Sequence, residues 1–186
     1  ADGATRGRHR LGTTTTELLH SSDVPVALVP RGARKVAPET GITRLTVAVG
    51  TRPGADALLE ATATLAQAAH VPVRLLSLLP VDLPATADTA AIRVAGSTET
   101  DQVLAAAKAE LPEGLAAEVV VASGESIEDA VSHLDWQGGE IVLVGSSRLA
   151  QPRRLFLGST AAKMLKEITV PVIVVPRTTR TEETTK

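Results

Sequence analysis

The sequence predicts an α/β protein: an open, doubly wound, five-stranded parallel sheet with helices on both faces, preceded by a helix–strand extension. Three observations predict it. Short β-branched runs alternate with longer stretches of helical period from Arg44 to Val175, the pattern of a parallel sheet with crossover helices. One stretch, Glu140 to Arg177, reads strand, loop, helix, strand, and its loop leaves the carboxyl end of a strand, where such sheets receive ligands. Part of that stretch also occurs twice. Gly12 to Arg31 and Gly158 to Arg177 agree at nine of twenty positions when offset by 146 residues, among them Gly12/Gly158, Leu19/Leu165, Val24/Val170 and Pro25/Pro171. That offset is one domain length, not a solenoid repeat.

The repeat divides the chain. Residues 1–33 read as the carboxyl-terminal helix and strand of a first domain, 34–43 as a linker, 44–177 as one whole domain and 178–186 as a polar, disordered tail. The expectation is a piece of a tandem protein.

Ala1 to Leu11 is a polar loop with Arg6, Arg8, His9 and Arg10, expected to be a solvated, frayed end. Gly12 to Ser22 reads as helix and Val24 to Val29 as strand. With no sheet of its own, that strand is expected to pair with the following domain or with another chain, because an unpaired apolar strand invites aggregation. Arg44 to Val49 is the first strand of the whole domain. Pro53 suits the first position of the next helix, whose buried stripe is expected to be Ala57, Leu58, Ala61, Leu65 and Ala68. Val73 to Leu79 is the second strand, Pro80 to Gly96 an irregular loop, and Ser97 to Leu111 a helix. Leu115 to Ala122 is the third strand and Ser126 to Leu134 a helix. The Gly138-Gly139 turn feeds the fourth strand, Ile141 to Val144. The last helix starts at Gly158 with Ala161, Met164, Leu165 and Ile168 on one face, and Val172 to Val175 is the fifth strand.

Composition narrows the function. Hydrophobic residues make up 44% of the chain but aromatics only 1%. The core is therefore Val, Leu, Ile and Ala, as in a sheet buried on both faces, and base stacking on aromatic rings is nearly excluded. A net charge of −2 gives no general pull towards nucleic acid. Without Cys there is no disulfide framework, thiolate metal site or Cys nucleophile. No run approaches the roughly 20 apolar residues that span a bilayer. A cytoplasmic protein with neither nucleic acid nor membrane as partner is expected. The sequence has no G-x-S-x-G elbow, no H-x-x-x-H pair and no Walker A motif, and His9, His20, His70 and His133 lie in unrelated segments. No catalytic residue and no metal site is expected, so the chain is not read as an enzyme.

What remains is the loop from Gly145 to Thr160. Gly145 ends a strand, where the lack of a Cβ lets a ligand approach the backbone, and Ser146 follows it. Gly158, Ser159 and Thr160 open a helix whose free N–H groups and dipole favour an anion such as phosphate. Arg148, Arg153 and Arg154 bring positive charge. Spacing alone supports equally a strand end and a helix start that merely cap the backbone.

The run VGSSRLAQPRRLFLGST, followed by VPVIVVP, resembles the universal stress protein family. Its nucleotide-binding members carry G-x2-G-x9-G-[S/T] between the fourth strand and the last helix. Gly145, the nine residues Leu149 to Leu157, Gly158 and Ser159 fit that pattern; Val47 to Thr62 is similar to the family's first strand and helix. The resemblance covers Arg44 to Arg177 and, as the end of a second copy, Gly12 to Arg31. It implies an adenine-nucleotide alpha-hydrolase-like fold, a stress-response role, ATP as ligand, and self-association through the last strand, as a homodimer or as a pseudo-dimer within one tandem chain. It marks Gly145, Ser146, Arg148, Gly158, Ser159 and Thr160 as the cofactor-binding residues. Two positions depart from the pattern. Arg148 stands for the motif's second Gly, and Gly50, followed by Thr51 and Arg52, stands where binding members usually carry Asp, followed by Gly and Ser. In the first copy Asp2 is the equivalent of Arg148, and its charge would repel a phosphate. A degenerate nucleotide loop in a regulatory module is therefore the expectation, with an ATP-binding sensor of weak ATPase or autophosphorylation activity as the alternative.

Overall fold

The computed structural model of the protein describes residue 9 and residues 11–50, 55–79, 89–146 and 155–176. The elements are α1 (Thr13–Ser21), β1 (Val26–Leu28), β2 (Arg44–Ala48), α2 (Asp56–Ala69), β3 (Val73–Leu78), α3 (Thr89–Ala109), β4 (Ala117–Ala122), α4 (Ile127–Ser132), β5 (Glu140–Gly145), α5 (Ser159–Glu167) and β6 (Val172–Val175). Two 3-10 turns, Arg31–Lys35 and Pro38–Thr40, occupy the segment between β1 and β2.

One sheet holds all six strands in the order β1-β6-β5-β2-β3-β4. The five strands from β2 onward pair in parallel, as expected. The strand that lacked a sheet adds itself to the edge: β1 pairs antiparallel with β6, Val26 opposite Val174, Ala27 opposite Ile173 and Leu28 opposite Val172. Ala27 and Ile173 are 146 residues apart, the offset of the sequence repeat. Exchanging the two copies therefore maps each pair onto another pair of the same ladder, and the pairing is pseudo-twofold about Ala27 and Ile173.

Alternation along the strands divides the core between two faces. On one, Val142, Val144, Val172, Val174 and Leu76 meet α1, α4 and α5 through Leu19, Val131, Met164, Leu165 and Ile168. On the other, Leu45, Val47, Val73, Leu75 and Leu143 meet α2 and α3 through Leu58, Leu59, Ala66, Leu104 and Ala107.

The α5 stripe is the one read from the periodicity: Ala161, Met164, Leu165 and Ile168 are all buried. The α2 stripe is rotated from expectation. Leu58, Leu59, Thr62 and Ala66 are buried while Ala68 is exposed. A helix with alanine on every side offers no contrast for periodicity to find, and Thr62 hides its hydroxyl by donating to Leu58 O at 2.7 Å. Pro53 lies outside the described residues. The third helix starts at Thr89, eight residues before Ser97. Gly96 reads as a breaker, yet a helix interior absorbs one glycine for about 1 kcal/mol. His70 and His133 cap the carboxyl ends of α2 and α4.

Candidate functional site

The chain winds one way from β2 through β3 to β4, and the other way from β5 to β6. The switch falls between β2 and β5, and in open α/β sheets ligands bind beyond the carboxyl ends of the strands at such a switch point. Gly50 lies just past the end of β2, and Gly145 ends β5. Gly50 and Gly145 therefore flank the switch point.

Among the described residues, a Cβ built on Gly145 would touch only Leu58 Cδ2, at 3.5 Å, and one on Gly50 would meet nothing within 4 Å. Packing against those residues requires glycine at neither position. Among them, only Leu58 packs against either position.

Ser146 is nearly buried, and its hydroxyl accepts from Phe156 N at 2.8 Å and donates to Phe156 O at 3.3 Å. Its own N–H donates to Val175 O at 2.8 Å. It thus ties the far end of the loop to the carboxyl ends of β5 and β6. Gly158 is the N-cap of α5, extended at φ −68° and ψ 160°, and supplies no side-chain cap. Ser159 and Thr160 are exposed in the first turn, and no acidic side chain lies there to compete for the helix dipole. Arg148, Arg153, Arg154, Thr51 and Arg52 lie outside the described residues. Of the residues expected to meet an anion, those described beside Gly145 and Ser146 are thus the start of α5 with its two exposed hydroxyls.

Two arrangements were not read from the sequence. The first is a brace. Leu155 N–H donates to Ser22 O at 2.7 Å and Leu157 N–H to Leu19 O at 3.2 Å, while the His20 ring meets Phe156 edge-on at 4.8 Å. The orphan carbonyls at the end of α1 are thus satisfied by the residues that lead into α5. His9 Nε2 bonds Val170 O at 2.9 Å; burial pushes its pKa down, against the pull of that bond.

The second is a buried polar row at the opposite end of the sheet. Arg44, Arg74 and Glu140 share one face of β2, β3 and β5. Glu140 is fully buried and accepts from Arg74 Nη2 at 2.6 Å, Arg44 Nη2 at 2.8 Å, Thr46 Oγ1 at 2.5 Å and Gln137 N at 3.0 Å. The Arg74 guanidinium also lies 5.0 Å from the Trp136 ring centroid. Burial pulls the Arg74 pKa down and the Glu140 carboxylate pulls it back up. Arg74 between Val73 and Leu75 is the sequence signal for it. With every oxygen of Glu140 engaged and the switch-point ends of the strands at the far end of the sheet, this row reads as structural.

No helix among the described residues is long and apolar enough to cross a membrane.

The profile of the Universal stress protein family matches residues 41–176. Universal stress proteins of Mycobacterium tuberculosis and Mycobacterium bovis are 30% identical over 181 residues, covering 92% of this chain and 60% of theirs. The chain thus spans about 60% of the length of these curated relatives. Among solved structures, a universal stress protein from Archaeoglobus fulgidus aligns with TM-score 0.61 at 23% identity, covering 94% of this chain and 59% of that one. UspA from Lactobacillus plantarum aligns with TM-score 0.55 at 16% identity, covering 73% and 98%. At these identities the two structures share the fold. The matching profile spans most of the chain and takes in β2 through β6 with the loop between β5 and α5: the chain belongs to the universal stress protein family.

Proposed function

We propose that this chain is a stress-response regulatory and interaction module whose β5–α5 loop is a degenerate nucleotide site. One observation carries the reading: beyond the end of β2, at the switch point between β2 and β5, the chain holds Gly50, with no side chain, where the family's binding members usually hold a carboxylate. The module acts by association, not by catalysis, in the cytoplasm, and nucleic acid is not its partner. Residues 1–33 are read as the last helix and strand of a preceding domain, 34–43 as a linker, 44–177 as the whole domain and 178–186 as a tail. The pseudo-twofold ladder about Ala27 and Ile173 supports that reading, with β1 and β6 meeting as in a pseudo-dimer inside one molecule. The mycobacterial relatives, longer than this chain, leave room for such a tandem.

The test is calorimetric titration with ATP, AMP and cyclic AMP, with and without Mg²⁺, after mass spectrometry of a denatured sample for carried-over nucleotide. The expected result is no carried-over nucleotide and ATP affinity no better than millimolar, about −4 kcal/mol. The variant Gly50→Asp with Arg148→Gly, which restores the family pattern at both positions, is expected to bind ATP at least about tenfold more tightly.

The second reading is an ATP-binding sensor with weak ATPase or autophosphorylation activity. The uncapped start of α5, with Ser159 and Thr160 exposed, favours it. It requires wild-type binding near micromolar, about −8 kcal/mol, and Arg148→Gly must then weaken that binding because the guanidinium reaches phosphate.

A further inference from the structure

We propose that α1 is a positioning element for the β5–α5 loop: its docked carboxyl end fixes where the loop delivers the start of α5. The consequence for ligands rests on the reading of that loop as a nucleotide-derived site; the positioning itself does not.

The loop exit is gripped from two sides. Phe156 turns its backbone N and O to Ser146 Oγ, at 2.8 and 3.3 Å. The residues on either side turn the other way, Leu155 N to Ser22 O at 2.7 Å and Leu157 N to Leu19 O at 3.2 Å. Their side chains are buried in the cluster that contains Leu19, itself fully buried. Leu157 is followed directly by Gly158, the N-cap of α5. If α1 leaves, two buried amides lose their acceptors and the Phe156 ring loses His20. Satisfying those amides then requires water or a new backbone path. Gly158 has no side chain to hold the helix start by itself. The position of α5's first turn is therefore conditional on α1. Linkage makes the coupling reciprocal: an anion that binds the braced loop also strengthens the docking of α1.

The test is hydrogen exchange on the full chain, with and without ATP. In Leu19→Ala, the amides of Leu155 and Leu157 should exchange at least about tenfold faster than in the wild type. The amides of Leu45 and Val49, which bond Pro72 O and Leu76 O inside the sheet, should keep their rates. Should Leu19→Ala fail to fold, His20→Ala tests the same brace through an exposed ring, and His20→Phe, which keeps a ring against Phe156, should restore wild-type exchange. Where ATP binds, it should slow exchange in α1, and Leu19→Ala should weaken that binding by about fivefold or more. Faster exchange in α1 with Leu155 and Leu157 unchanged would overturn the proposal. So would ATP binding that leaves α1 exchange untouched. Failure of ATP to bind at all counts against the nucleotide reading alone, and the exchange rates of Leu155 and Leu157 still decide the brace.

Discussion

Gly139 shows at the scale of one residue where the chain tolerates no side chain. It sits at φ +83° in the turn that feeds β5, and an added Cβ would run into Gly41 O and Thr43 Cγ2. Thr43 is already tied to this turn, its N–H on Gly139 O at 3.0 Å and its Oγ1 on Gly138 O at 2.9 Å. Gly139→Ala is therefore expected to cost about 1–3 kcal/mol through left-handed strain and collision. Gly138→Ala, whose Cβ would meet only Val36 methyls at 3.9 Å, is the internal control and should cost clearly less; urea midpoints of the two variants decide. Gly50 is the opposite case. Among the described residues nothing lies within 4 Å of a Cβ built there, so Gly50→Asp should change the folding free energy by no more than about 0.5 kcal/mol. A binding gain in that variant is then read as chemistry at the switch point and not as a change in fold stability. Gly145 is intermediate: its spacing to Gly158 was legible in the sequence, whereas its contact with Leu58, at 3.5 Å from an added Cβ, was visible only once β5 and α2 were assembled.

Among elements, the starts of β2, β3 and β5 are bound together by charge where the rest of the sheet is bound by apolar packing. Glu140→Gln removes the one carboxylate that both Arg44 and Arg74 face at close range. It takes the carboxylate from Arg74, 4% exposed, and leaves Arg44, 12% exposed, with Glu118 at 3.4 Å, so a loss of about 3–5 kcal/mol is expected. Replacing Arg74 and Glu140 together, by Met and Leu, should cost less than the sum of the single changes, because no uncompensated charge remains from that pair. Additive losses in denaturant melts would show that the pair does not act as a unit. This row also marks the limit of what could be read in advance. Runs such as Ala117–Ala122 and Val172–Val175 announce strands through β-branched content, and the α5 stripe announces itself through its period, because both signals are local. That Glu140 lies beside Arg44 and one strand from Arg74 depends on β2 inserting between β5 and β3, which no short window of sequence contains. The same holds for the brace: Leu19 and Ser22 meet Leu157 and Leu155 across more than a hundred residues. Ser146 was read as a ligand residue from its place beside Gly145, and its bonds to Phe156 were invisible for the same reason.

At the scale of the whole molecule, the α1–β1 arm both closes the sheet and covers its core. β1 occupies the edge of β6, while Leu19 and Leu28 are buried against the α5 side of the sheet. Removing residues 1–33 therefore does two things at once. It frees the backbone donors and acceptors of Val172–Val175, and it uncovers apolar surface around Leu155, Leu157 and Leu165. An apolar edge strand with no charge or proline inside it is a template for pairing, and the ladder it has lost was pseudo-twofold, so a second copy of β6 can take the place of β1. The truncated chain is expected to self-associate in a concentration-dependent way, seen by light scattering or sedimentation, where the full chain does so less. A peptide of residues 11–31 should compete with that association and return the truncated chain towards monomer. A truncated chain that stays monomeric and soluble would mean that β6 is protected by something other than the arm, and the arm's role would then reduce to the brace it provides for Leu155 and Leu157.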